Sequence, residues 1–434
     1  VTGTAIPQRD RPIGRELGFL ILQTLAPEAG LSNIGWAFEC APDFDARMVE
    51  RAMEWLLRRH PALRTTFPPD GEGGFVRRTT PRHDVRVELP VVQVDRGRLG
   101  SVVERLVARP FDVTRELPLR SALVAEAGAG PAVLVIVVHH IAVDATSAAT
   151  LLDELDRTYQ LLGQGGSPDE EEVTPPEPPA VSVPPASLAY WRDHLAGYDP
   201  RDMVLRGHQR VSEPRTFAGH TRVVALDDRV LASLQTLRKQ LRATNNILLL
   251  GGFYALLMAH GAGPDLTVGT LVTERRDERD RPHVGHKAGM LALRVRAWAD
   301  ISFRDLVLAT RQCFFDGMAH ADADFDAVLP LIRPADDWRT PVFRQVFTYW
   351  PGGISLADAD QRLSIGRTVP VQHVLSRYEL VFNVMPAGAG LAVKATYSTE
   401  LFDHDTVDRL LDRYLALVAA AAADPDARVA DLLV

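Results

Sequence analysis

The stretch Ala132-Val133-Leu134-Val135-Ile136-Val137-Val138-His139-His140-Ile141-Ala142-Val143-Asp144-Ala145 decides how the chain is read. Its first seven residues are apolar without a break and rich in Val, Ile and Leu. That composition predicts a strand buried on both faces of a sheet. From about Thr146 to Leu162 the pattern changes to helical spacing, with Leu151, Leu152, Leu155 and Tyr159 on one face. Between strand and helix lie two histidines and an aspartate. Strand ends in mixed α/β folds commonly carry chemistry, because a rigid strand aims a short loop.

Three readings of this cluster stand side by side. The first is a structural or surface pair of histidines. The second is a zinc site, which strand geometry disfavours: successive side chains point to opposite faces, so His139 and His140 do not share one metal. The third is acyl transfer, in which a neutral imidazole accepts a proton from an attacking amine or alcohol. Alternation then turns one histidine to the substrate and the other to the core. Asp144 either holds the imidazole or locks the loop through a cation. The chain has no Gly-x-Ser-x-Gly elbow and no Cys beside a His, which argues against a covalent enzyme intermediate.

Working outward, 434 residues with 46% apolar and 24% charged content predict a folded chain with large cores. A net charge of −8 and the lack of a basic run argue against a nucleic-acid partner. No apolar run is long enough to span a membrane. The only cysteines, Cys40 and Cys313, lack metal-ligand spacing and are expected as buried free thiols. Few cysteines and no secretory signal point to the cytoplasm. Residues 163–187, GQGGSPDEEEVTPPEPPAVSVPPAS, are too rich in Pro, Gly and acid for regular structure and read as a linker. It separates a lobe of residues 1–162 from one of 188–434.

Helices are predicted from Asp45 to about His60, from Asp228 through Leu241, over about Asn246–His260 (apolar nearly all round, hence buried) and over about Asp403–Ala422. Strands are predicted near 266–272, 290–296, 344–350, 379–385 and 391–397.

His139–Asp144 resembles the His-His-x-x-x-Asp-Gly motif of nonribosomal peptide synthetase condensation domains, of the chloramphenicol-acetyltransferase-like superfamily. Further segments resemble that family in order: Arg59-His60-Pro61-Ala62-Leu63-Arg64-Thr65-Thr66-Phe67, Pro110-Phe111-Asp112 with Pro118-Leu119-Arg120, Tyr190-Trp191 with Leu195, Val268-Gly269-Thr270 through Arg275, Thr340-Pro341-Val342-Phe343 through Phe347, and Tyr397 to Phe402. The resemblance implies an α/β (α+β) chain of two such lobes, arranged as a V-shaped pseudodimer with a central tunnel. It implies donor and acceptor peptidyl carrier proteins and neighbouring synthetase domains as partners. Substrates then arrive on the carriers' phosphopantetheine arms, and the domain needs no bound cofactor or metal of its own. His140 becomes the catalytic histidine. His139, Asp144 and Arg275 give structural support, with Asp144 paired to Arg275 across the lobe junction. Ala145, Ser147 and Gly289 become candidate tunnel-lining residues.

Three positions depart from the family pattern. Ala145 replaces the motif glycine; its methyl group is expected to crowd the tunnel beside His140, and the change is mild only where φ is negative. Gly14–Leu20 keeps little of the family's N-terminal motif. His286 and Lys287 stand where aromatics are usual; they either add polarity near the tunnel or face solvent, and solvent is the favoured reading. The intact His140 differs from non-catalytic recruitment domains, and the intact His139 differs from heterocyclisation domains. Three functions follow: amide formation between two carrier-bound substrates; ester or amide formation with a free alcohol or amine; and a recruitment platform with vestigial histidines. The chain starts at Val1 rather than Met, which favours an excised piece of a longer polypeptide.

Overall fold

The computed structural model describes residues 10–126, 132–169, 183–205, 216–273, 275, 283–298, 300–323, 325–332, 342–350, 362–371 and 374–433. They form two compact units of mixed α/β structure, each with its own apolar core. The first comprises Val1–Ser182, Thr273–Ala288 and Ile354–His373; the second comprises Val183–Val272, Gly289–Gly353 and Val374–Val434. The division after Ser182 falls within the predicted linker. Residues 170–182 of that linker lie outside the described residues, and its end is already helical, with Pro185 opening the helix Pro185–Leu195. Two later segments belong to the first unit rather than to the lobe 188–434 expected from the sequence. The cause is pairing: Gly366–Val369 adds a strand to the first sheet, and the segment around Arg275 and Gly285 is tied to Ser147.

The first unit is built on a six-stranded sheet in the order Arg362–Leu363, Gly366–Val369, Asn33–Cys40, Val133–His139, Leu119–Glu126, Val91–Val94. All neighbours are antiparallel except the last pair. Val133–His139 is central, and every one of its residues is buried, as its unbroken apolar sequence predicts. The helix Ala46–Arg59 starts at Asp45, whose carboxylate accepts the Arg47 and Met48 N–H groups at 2.8 and 3.2 Å. It buries Val49, Ala52, Met53, Leu56 and Leu57, the stripe read from the sequence. Ala145–Gly163 packs beside it, and the Tyr159 hydroxyl accepts the Asp45 N–H at 2.9 Å. Cys40 lies in this core as a free thiol.

Asn33–Cys40 sits close under the helix Leu99–Ala108. A methyl group at Gly35 would lie 2.5 and 2.7 Å from the two Val107 γ-carbons. Gly35→Ala is therefore expected to overpack this contact and cost about 1–3 kcal/mol. Urea unfolding checks it: the midpoint falls with an unchanged slope, and adding Val107→Ala restores part of the loss.

The second unit carries a six-stranded sheet in the order Gly219–Ala225, Gly390–Ser398, Leu380–Ala387, Gln345–Tyr349, Asp265–Thr273, Ala288–Arg296. Against it packs Asn245–Ala259, in which every residue from Ile247 to Leu257 is buried. Its Tyr254 hydroxyl donates to the Leu293 carbonyl at 2.7 Å, so the deepest polar group is satisfied. Cys313 is a second buried free thiol, with burial pushing its pKa up to about 12. Among the described residues, no helix is long and apolar enough to cross a membrane.

Candidate active site

The end of the central strand of the first unit positions both histidines. Asn33 stands opposite His139 in the register. The His140 N–H donates to the Ser32 carbonyl at 2.7 Å, and the His139 N–H donates to Pro118 at 2.9 Å. The chain then turns, with the Ala142 N–H on the His139 carbonyl at 3.0 Å, and enters the helix Ala145–Gly163. Both sides of the turn are thus fixed by sheet neighbours.

The two imidazoles part as alternation requires. His139 is 4% exposed, edge-on to Phe111 and Phe19 at 5.8 and 5.9 Å between centroids. Its Nδ1 accepts the Ile141 N–H at 3.1 Å, which leaves the proton on Nε2. His140 is only half-buried. Its Nδ1 lies 2.6 Å from the Val143 carbonyl. A carbonyl only accepts, so this nitrogen carries the proton and Nε2 keeps a lone pair. Burial lowers the His140 pKa from its usual value, with the Val143 hydrogen bond and the Asp144 charge opposing. The ring is therefore neutral at neutral pH, in the tautomer a proton acceptor needs.

Asp144 does not hold the imidazole. Its Oδ1 caps the helix by accepting the Ser147 N–H at 2.8 Å. Arg275 Nη2 reaches both carboxylate oxygens, at 3.1 and 3.2 Å, and the Lys287 N–H donates to Oδ2 at 3.0 Å. The expected pair with Arg275 is present, but one nitrogen serves both oxygens, and both residues lie in the first unit. Burial opposes ionisation of Asp144, yet Arg275 and the Ser147 N–H outweigh it and hold the carboxyl below its usual range.

Ser147 corrects the sequence reading. It is fully buried and does not line an open passage. Its Oγ donates to the Gly285 carbonyl at 2.8 Å and accepts from the Gly285 N–H at 3.1 Å and Arg275 Nη2 at 2.7 Å. A serine three residues after a cap aspartate, one helical turn on, is well placed to share that aspartate's partners. Ala145 is the first residue of the helix and is not among the positive-φ positions, so a glycine is not required there. Gly289 belongs to the second unit, where an added methyl would meet Val272 at 3.6 Å, an ordinary contact.

Three residues join the site beyond those assigned to it from the sequence. His286 does not face solvent: its Nδ1 lies 3.2 Å from His140 Nδ1 and 3.3 Å from the Val143 carbonyl. Burial, then the neighbouring His140, push its pKa down to about 3. Lys287 likewise joins the cluster through its backbone. Phe19, on the helix Gly14–Leu25, stacks on His140 at 5.6 Å with 29° between planes, and meets His286 edge-on at 4.9 Å. The helical spacing of Leu17, Leu20 and Thr24 marks that helix in the sequence; nothing local marks His286.

This cluster carries a pH signature. His139 and His286 have pKa values lowered to about 3, each first by burial. An unfolded histidine titrates near 6.5. Between those values the unfolded chain binds more protons, so stability is full above pH ~6.5 and falls on acidification toward pH 3. The expected slope is up to about 1.4 kcal/mol per pH unit for each histidine. Unfolding midpoints at pH 7 and 5 check it, and His286→Asn should flatten the difference.

Comparison with known proteins follows the same lines. The family profile named Condensation domain matches residues 17–434. A probable non-canonical nonribosomal peptide synthetase, CymA of Salinispora arenicola, is 28% identical over 463 aligned residues, covering 99% of this chain but only 6% of CymA. Among solved structures, the X-domain in its complex with OxyB from teicoplanin biosynthesis superposes with a TM-score of 0.84 at 24% identity, over 99% of this chain and 97% of that one. The condensation domain of the monacolin K polyketide synthase MokA superposes at 0.73 with 19% identity, over 97% and 98%.

Proposed function

The chain belongs to the condensation domain family, and on that premise we propose that it joins a carrier-bound acyl thioester to a carrier-bound amine, with His140 accepting the proton. The observation that carries this reading is the His140 Nδ1 contact with the Val143 carbonyl at 2.6 Å, which leaves Nε2 as a base. The amine nitrogen attacks the thioester carbon. A C–N bond forms, the C–S bond breaks, and the amine proton passes through Nε2 to the departing thiolate. No side chain becomes acylated. The donor and acceptor are peptidyl carrier proteins presenting phosphopantetheine arms, and neighbouring synthetase domains supply them. Gly289 and Ala145 are proposed to face the substrates, and Asp144 and Arg275 to hold the turn.

One observation favours a second reading. Phe19 and His286 both close on the His140 ring, and an enclosed imidazole suits a domain that recruits a partner protein, as the teicoplanin X-domain complexes OxyB. A single assay separates the two. A donor carrier is loaded with an acyl thioester and offered a carrier-bound aminoacyl acceptor, or free amines and alcohols. Product on the carrier-bound acceptor supports the proposal. Product only with free compounds makes the chain an acyltransferase for diffusible nucleophiles. No product, with stoichiometric binding of an OxyB-type protein, supports recruitment.

A further inference from the structure

Resting on the reading of His140 as proton acceptor, we infer that His286 is a positioning residue that holds the His140 ring in one orientation, with Nδ1–H on the Val143 carbonyl and Nε2 outward.

His286 is held in place from both sides. Its neighbours on both sides are pinned: Gly285 by two hydrogen bonds to Ser147 Oγ, and Lys287 by its N–H on Asp144. The residue between two such anchors has little freedom to swing away. Its ring then meets His140 at 4.8 Å between centroids, inclined by 74°. Phe19 packs against both rings. His140 is thus enclosed by a stacked phenyl and a steeply inclined imidazole.

The hydrogen-bond geometry gives this enclosure a consequence. An isolated imidazole can rotate by half a turn about its Cβ–Cγ bond and offer a different ring edge to the same acceptor. In the observed orientation the Val143 carbonyl takes His140 Nδ1–H, and a nitrogen carrying that proton has no in-plane lone pair for His286. His286 Nδ1 therefore either shares the His140 proton or donates its own to the same carbonyl at 3.3 Å. Both arrangements keep the proton of His140 on Nδ1. A rotated ring would lose this three-centre contact and press a C–H edge against His286. The charged groups facing the pair are Asp144 at the helix cap and Arg15 from the helix Gly14–Leu25, with neutral His139 behind.

Nitrogen NMR of the full chain with 15N-labelled histidine tests this without depending on turnover. Wild type should show His140 as one neutral tautomer, protonated at Nδ1. In His286→Ala the two ring nitrogens should move toward averaged shifts, and His286→Asn, which can still hydrogen-bond Val143, should restore most of the separation. In the transfer assay, kcat should fall about tenfold in His286→Ala with KM for the carriers unchanged. If His286→Ala does not fold, the comparison is made with His286→Asn and His286→Phe, of which only the second should average the tautomers. Unchanged His140 shifts in every folded variant overturn the inference. Averaged shifts in a chain that transfers no acyl group uphold it and overturn only the catalytic reading.

Discussion

Asp144→Ala is expected to destabilise the first unit by about 3–5 kcal/mol, because it removes one partner of a buried ion pair. The side chains of Arg275 and Asp144 are only 7% and 6% exposed. The same carboxylate also caps the helix Ala145–Gly163 and holds the Lys287 N–H, so the loss includes a cap worth about 0.5–2 kcal/mol. Arg275→Ala removes the other partner and is expected to cost a similar amount. The double variant should cost clearly less than the sum, since the two residues share one interaction that either single variant already removes. Urea unfolding of the four chains measures the coupling. Additive losses, or a single-variant loss below about 1 kcal/mol, would contradict the account. These variants should also transfer acyl groups poorly, because they loosen the segment that carries His286: Asp144 holds the Lys287 N–H, and Arg275 reaches Ser147 Oγ and the Gly285 carbonyl. Lost activity at Asp144 is therefore a positional effect, not proof of a chemical role.

His140→Ala is expected to slow acyl transfer by about 10²–10⁴, the usual contribution of a positioned general base. That corresponds to about 3–5 kcal/mol of activation free energy. Unlike Asp144, the half-buried His140 makes no ion pair among the described residues, so the thermal midpoint should shift little and KM for the carrier proteins should stay near its wild-type value. The loss then falls on kcat, as it does when an interaction made only in the transition state is removed. A rate within threefold of wild type would remove His140 from the mechanism.

Much of the fold was legible because burial writes itself into periodicity. The unbroken run to Val138, rich in β-branched residues, reads as a strand buried on both faces, and the all-round apolar Asn245–Ala259 as a buried helix. The helix start at Asp45 follows from cap chemistry, and the helix from Asp403 from its apolar spacing. The linker boundary was less legible. Thr273–Ala288 and Ile354–His373 return to the first unit through strand pairing and hydrogen bonds between residues far apart in sequence, which local composition does not encode. The site divides the same way. His139, His140 and Asp144 were visible as a cluster at a strand end, and Arg275 through family resemblance. Ser147 read as a tunnel-lining candidate, since its buried role depends on Gly285, 138 positions on. His286 read as solvent-facing because its two flanking anchors are tertiary contacts. Phe19 sat in the stretch that had drifted most from the family pattern, yet its ring is the one stacked on His140.

The most direct measurement is a single-turnover transfer followed by intact mass. The wild-type chain is mixed with an acyl-loaded donor carrier and an aminoacyl-loaded acceptor carrier. The account predicts that the acyl mass leaves the donor's phosphopantetheine arm and appears on the acceptor's, and that His140→Ala leaves it where it began. An acyl group that stays on the donor with the wild-type chain, or moves equally well without His140, contradicts it.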